Sequence, residues 1–112
     1  MMIVKTNVEE ELWTEDVENF SNKAKECIEL YAKKNHDYGN SFEKGCNDIG
    51  QAYALGRLYD KMNRLVNVSR SESKVKDESV EDTLKDLACY SLMYLAYLDK
   101  KRVASIPDVD FE

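Results

Sequence analysis

Leu87-Ala-Cys-Tyr-Ser-Leu-Met-Tyr-Leu-Ala-Tyr-Leu98 is the stretch whose reading decides the fold. It is uncharged on every side and contains neither Gly nor Pro, so it reads as the second half of a helix over residues 80–102. The first half is amphipathic, with Val80, Leu84, Leu87 and Ser91 on one side. Ser79 suits the N-cap, with Asp82 three residues on in a near-capping-box arrangement. A helix that is apolar all round has to be covered all round, and two further helices of one small domain do not suffice. The expectation is a homo-oligomer, with the remaining face buried against a second subunit. The alternative is that Tyr90, Tyr94 and Tyr97 expose their hydroxyls and the face is only partly covered.

Working outward, the preceding segment 69–77 is Ser- and Lys-rich and reads as a solvated connector. Before it, Ile49, Tyr53, Leu55, Leu58, Tyr59, Met62, Leu65 and Val66 supply the apolar surface of a helix starting near residue 47 or 48 and ending near 68. Gly50 and Gly56 weaken it by roughly 1 kcal/mol each relative to Ala. An N-terminal helix over residues 15–34 presents Val17, Phe20, Ala24, Cys27, Ile28 and Tyr31 at three- and four-residue steps. Thr14 is its N-cap, and Glu15 and Asp16 complement the helix dipole. Residues 36–45 are rich in turn formers and carry Tyr38 and Phe42, so they read as an ordered loop. Ile3, Val4 and Val8 allow a short strand near the start, and an irregular tail follows residue 102.

The 112 residues make one domain, all-α, with a core over residues 15–102 and a tail at each end. Four glycines and one proline leave few places to turn, which favours long helices. A net charge of −6 argues against nucleic acid as a partner. Three scattered cysteines without a Cys-x-x-Cys pair, and a short apolar start, point to a reducing, cytoplasmic setting. One histidine and no paired thiols argue against zinc. The longest apolar run, residues 87–98, is too short to span a membrane.

Chemistry concentrates in three blocks. In Arg57-Leu-Tyr-Asp-Lys-Met-Asn-Arg-Leu65, the cations Arg57, Lys61 and Arg64 share one helical stripe, and Asp60 lies within reach of both arginines. Three cations held by a carboxylate suit phosphate, through bidentate Arg donors and a Lys point charge; a solvated salt-bridge face is the alternative. In Glu78-Ser-Val-Glu-Asp-Thr-Leu-Lys-Asp86, Asp82 and Asp86 are one turn apart and need neutralising. Mg²⁺ held by Asp82 and Asp86 is one solution. Pairing with Arg57, Lys61 or Arg64 on the neighbouring helix is the other. In Lys34-Asn-His-Asp-Tyr-Gly-Asn-Ser-Phe42, the residues His36, Asp37, Tyr38, Ser41 and Phe42 would roof a site between the two helices. There Tyr38 and Phe42 either stack on a base or plug the bundle end, and His36 offers a hydrogen bond or a general base.

Taken together, Asp-Tyr-Gly-x-Ser-Phe, Arg-x-x-Asp-Lys-x-x-Arg-Leu and Glu-Asp-Thr-x-x-Asp-Leu resemble the first type of nucleotide-modification-associated domain, a family found largely in phages. The resemblance spans residues 17–99. That family looks related to MazG-like all-α nucleotide pyrophosphohydrolases, whose four acidic ligands come as Glu-x-x-Glu and Glu-x-x-Asp. Here Glu26 and Glu29 have the first spacing, but Glu81 and Asp86 are five apart and Asp60 is the lone acid of its helix. The resemblance implies a nucleotide or nucleotide-derived signalling molecule as ligand, captured for counter-defence or handled in nucleotide metabolism. The MazG-like relationship implies instead a Mg²⁺-dependent (deoxy)nucleoside triphosphate pyrophosphohydrolase.

Overall fold

The computed structural model describes residues 6–38, 40–72 and 76–105, with the side chains of residues 37, 38, 76, 77 and 103–105 excepted. A single 3-10 turn, Glu10–Leu12, precedes helices α1 (Glu15–Tyr38), α2 (Ser41–Ile49), α3 (Gln51–Ser69) and α4 (Lys76–Ser105). No strand occurs among the described residues. The all-α class expected from the sequence is therefore what is found. The strand considered near the start falls partly on residues 1–5, outside the described residues, and residues 6–9 are irregular.

Helix α1 begins where its capping chemistry puts it. The Val17 amide donates to Thr14 Oγ1 at 3.3 Å, and the Glu18 amide donates to the Thr14 carbonyl at 3.0 Å. The helix then runs four residues past the expected end and takes in His36, Asp37 and Tyr38. Asn40 adopts φ 62°, ψ 36°, the left-handed region that Asn tolerates better than most residues.

Among the described residues four helices replace the three expected, because the loop expected over 36–45 is helical from residue 41 and Gly50 then interrupts the chain. Gly50 sits at φ 93°, ψ −162°, a conformation nearly closed to residues with a Cβ. Its amide still donates to the Cys46 carbonyl at 2.8 Å, and its carbonyl accepts from Tyr53 at 3.0 Å. The expected single helix over 47–68 is thus divided at Gly50 between α2 and α3. Helix α4 starts at Lys76 rather than at residue 80, so Ser79 is not a cap. Its carbonyl accepts from the Thr83 hydroxyl at 2.7 Å, inside the helix.

Helices α3 and α4 form the main packing pair. They run antiparallel: Lys61 meets Asp86, while further back along the chain Asn47 of α2 meets Tyr97. The core is small, with Phe42, Cys46 and Ala54 surrounded by Tyr53, Tyr90, Met93, Tyr94 and Tyr97. Helix α1 crosses the middle of α4, where the Cys89 thiol donates to the Cys27 carbonyl at 3.6 Å. A Glu43–Lys100 ion pair at 2.7 Å ties α2 to the far part of α4. No helix among the described residues is long and apolar enough to cross a membrane.

Candidate functional site

The site is a groove where α1, α3 and α4 converge. Its open, charged compartment has a volume of about 490 Å³ and is lined by Leu30, Lys34, Lys61, Arg64, Asp82, Thr83 and Asp86. A smaller compartment of about 190 Å³ adjoins it through Leu30, Lys34 and Asp86. This second space has aromatic walls, Tyr31, Phe42, Tyr53 and Tyr90, with Asn35, Asn40 and Ser41 as polar contributors.

Asp86 is the organising residue. One carboxylate oxygen accepts from Lys34 Nζ at 3.2 Å and the other from Lys61 Nζ at 3.1 Å. The carboxylate is only 21% exposed, so it holds two ammonium groups in a partly dry setting. Burial works to lower the Lys34 pKa, but the hydrogen bond and charge of Asp86 outweigh it and the net shift is upward. Lys34 therefore stays charged throughout the neutral range. The Lys61 ammonium also lies 5.9 Å from the centroid of Tyr90, a cation–π contact. Thr83 closes the floor and is almost completely buried, its hydroxyl used within the helix.

The aromatic walls are held by mutual packing. Phe42 sits 5.8 Å from Tyr53 and 5.8 Å from Tyr90, both tilted. Tyr53 in turn rests against Gly45, where any Cβ would overlap its ring.

Among the residues expected from the sequence, Ser41, Phe42, Lys61, Arg64, Asp82 and Asp86 all line the groove. Arg57 does not. It is exposed and lies over the Tyr53 ring at 5.2 Å, behind the aromatic wall. Asp60 and His36 are exposed and are not among the lining residues. The side chains of Asp37 and Tyr38 lie outside the described residues. Sequence reasoning missed Lys34, the last residue of the helix expected over 15–34. It also missed Tyr53, which it read as apolar surface of its helix, and Tyr90, which it read only as part of the uncharged stretch. The Lys34–Asp86 pairing spans 52 residues and leaves no local signal.

Of the two solutions weighed for the carboxylate pair, Asp86 adopts the internal one. Both of its oxygens are taken by ammonium groups, and no three His, Cys, Asp or Glu residues converge as a metal set among the described residues. The cysteines are poorly placed as nucleophiles. Burial, with the neighbouring Cys27 next in importance, pushes the Cys89 thiol up to about 11, and burial also raises Cys46.

One comparison with known proteins bears on this geometry. The family model described as nucleotide modification associated domain 1 matches residues 34–98, more than half of the chain. The chain belongs to that family. The matched span begins at Lys34 and includes the groove residues of α2, α3 and α4. No curated protein and no solved structure matches the chain.

Proposed function

We propose that this member of the nucleotide modification associated domain 1 family binds a nucleotide-like anion in the groove. In this reading the phosphates lie against Lys34, Lys61 and Arg64, and the base enters the aromatic compartment. The observation that carries it is the adjacency of a three-cation compartment to an aromatic one of suitable size. A polyphosphate needs fixed cationic donors. A flat, polar-edged base needs ring faces plus a few amide and hydroxyl groups, as Asn35, Asn40 and Ser41 offer. Together the two compartments fall within the usual range for small-molecule sites, roughly 300–1,000 Å³.

Capture without chemistry is the form of this function that the side chains favour, since the groove offers cations and rings but no assembled metal set or activated nucleophile. Taking a nucleotide or nucleotide-derived signal out of circulation, as a phage protein used in counter-defence would, requires nothing more. The test is isothermal titration calorimetry with a nucleotide panel and inorganic pyrophosphate, followed by ion-exchange chromatography of the recovered ligand. Binding that is lost in a Lys61→Ala/Arg64→Ala variant, with ligand recovered intact, supports the proposal. Release of pyrophosphate in the presence of Mg²⁺ would instead assign a pyrophosphohydrolase, and absence of binding to any phosphate compound would end the reading.

A further inference from the structure

Helix α4 has three sides, and the fold uses two. Thr83, Tyr90 and Tyr94 pack toward α2 and α3, while Lys85 and Cys89 face α1. The third side carries Leu84, Ala88, Ser91, Leu95 and Leu98, spaced alternately by four and three residues, the repeat of a two-helix seam. Its leucines are large and uncovered: Leu84 is 47% exposed, Leu95 60% and Leu98 45%. Glu81 continues the repeat at one end and Arg102 at the other. Lys85 and Asp99 flank the same edge of the seam.

This distribution of charge and size selects one occupant and one orientation. We propose that the seam is covered by α4 of a second copy, packed antiparallel about a two-fold axis level with Met93. In that register Ala88 receives the partner's Leu98, and Ser91 receives the partner's Leu95, so each small residue faces a large one. Arg102 comes level with the partner's Leu84; at the helical rise per residue, Lys85 then lies about 3 Å along the axis from the partner's Asp99, and Glu81 about 4.5 Å from the partner's Arg102. The existing Glu26–Lys85 pair at 2.9 Å and Asp99–Arg102 pair at 2.8 Å then join into one network across the interface. A parallel pairing sets Glu81 against Glu81 and Arg102 against Arg102, which like-charge repulsion disfavours. Helix α3 has its own exposed apolar row, Leu55, Tyr59, Met62 and Val66, but Gly56 and Asn63 flank it and no charges fix a register there.

The experiment combines mass and register. Sedimentation equilibrium should give twice the 13.0 kDa chain mass for the intact protein. Leu95→Glu should weaken self-association by about a hundredfold or more while keeping the helical circular dichroism, because Leu95 contributes nothing to the monomer core. Asp99→Lys should weaken it by about tenfold, and adding Lys85→Asp should restore it. Leu92 lies near the axis, so Leu92→Cys should cross-link to its mate with a short bismaleimide. Leu84→Cys, about 27 Å from its mate at the helical rise per residue, should not. The native cysteines Cys27, Cys46 and Cys89 are buried and free. A monomer at all concentrations, a dimer that cross-links through Tyr59→Cys in place of Leu92→Cys, or an undiminished dimer in Leu95→Glu would each overturn the proposal.

Discussion

Replacing Asp86 by Asn separates the roles that a groove carboxylate can have. Three cations, Lys34, Lys61 and Arg64, and two carboxylates, Asp82 and Asp86, line the charged compartment, so its formal charge rises from plus one to plus two. A phosphate seated on the two lysines would lie about 6 Å from the Asp86 carboxylate. Unit charges at that distance repel by roughly 0.7 kcal/mol in bulk water and 2.8 kcal/mol at an effective dielectric constant near 20. Removing that repulsion should raise affinity for inorganic pyrophosphate by about tenfold. The same change breaks two partly exposed ion pairs, at 3.1 and 3.2 Å, which together stabilise the fold by about 1 kcal/mol. The melting temperature should then fall by about 4–6 °C. Calorimetric titration and thermal denaturation on one preparation read both effects. If Asp86 instead holds a ribose hydroxyl or a metal, affinity for nucleotide falls; loss of pyrophosphate binding with the fold intact would refute its assignment as a competitor for the lysines.

Other outcomes follow from the same geometry. Arg64→Ala should weaken nucleotide binding about tenfold, whereas Arg57→Ala, behind the aromatic wall, should change it by less than about threefold in the same titration. Gly45→Ala should lower stability in urea denaturation. Overpacking against Tyr53 costs about 1–3 kcal/mol, which exceeds the roughly 1 kcal/mol gained in helix propensity, and the displaced ring should also weaken nucleotide binding. Glu26 and Glu43 are both held below the usual 4.5, the first by Lys85 and then Lys23, the second by Lys100 and then Asn40. Their contribution is complete above pH 4.5 and lost as pH falls through the lower folded values, so Glu43→Gln should flatten the decline of melting temperature below pH 4.5. Iodoacetamide at pH 7.5 should leave Cys89 unmodified in the native protein, since its thiol titrates only at about 11.

Sequence periodicity located α1 and α3 because each carries apolar residues at three- and four-residue steps, and the α1 cap followed from Thr14 because that hydrogen bond is local. What periodicity could not locate were the breaks. Gly50 reads equally as a weak spot within a helix or as its end, and only the packing of Phe42 and Cys46 beneath Ala54 decides for the latter. Glycine and asparagine at residues 39 and 40 were turn signals, yet the surrounding polar residues spread the expected loop over ten positions. The charged compartment was legible from Lys61, Arg64, Asp82 and Asp86, because spacing of three and four residues places such groups on one side of their own helices. Lys34 was not, since its partner lies on another helix 52 residues away. Arg57 shares the stripe of Lys61 and Arg64, but the Tyr53 ring beside it places it behind the wall.

The uncharged half of α4 makes sense once its sides are counted separately. Tyr90 faces the groove, Tyr94 and Tyr97 join the core, Cys89 meets α1, and Leu95 and Leu98 are exposed. On the dimer proposed above, this half of the helix has work on every side and no polar side to spare. The division also lets the two proposals be tested apart, because the groove residues of α4 and its leucine seam lie on different sides of the helix. Leu95→Glu should yield a monomer that binds nucleotide with unchanged affinity, while Lys61→Ala/Arg64→Ala should yield a dimer that does not bind. If the monomer loses binding with its helicity intact, the groove needs the second copy to hold its shape, and the single-chain site described above is incomplete.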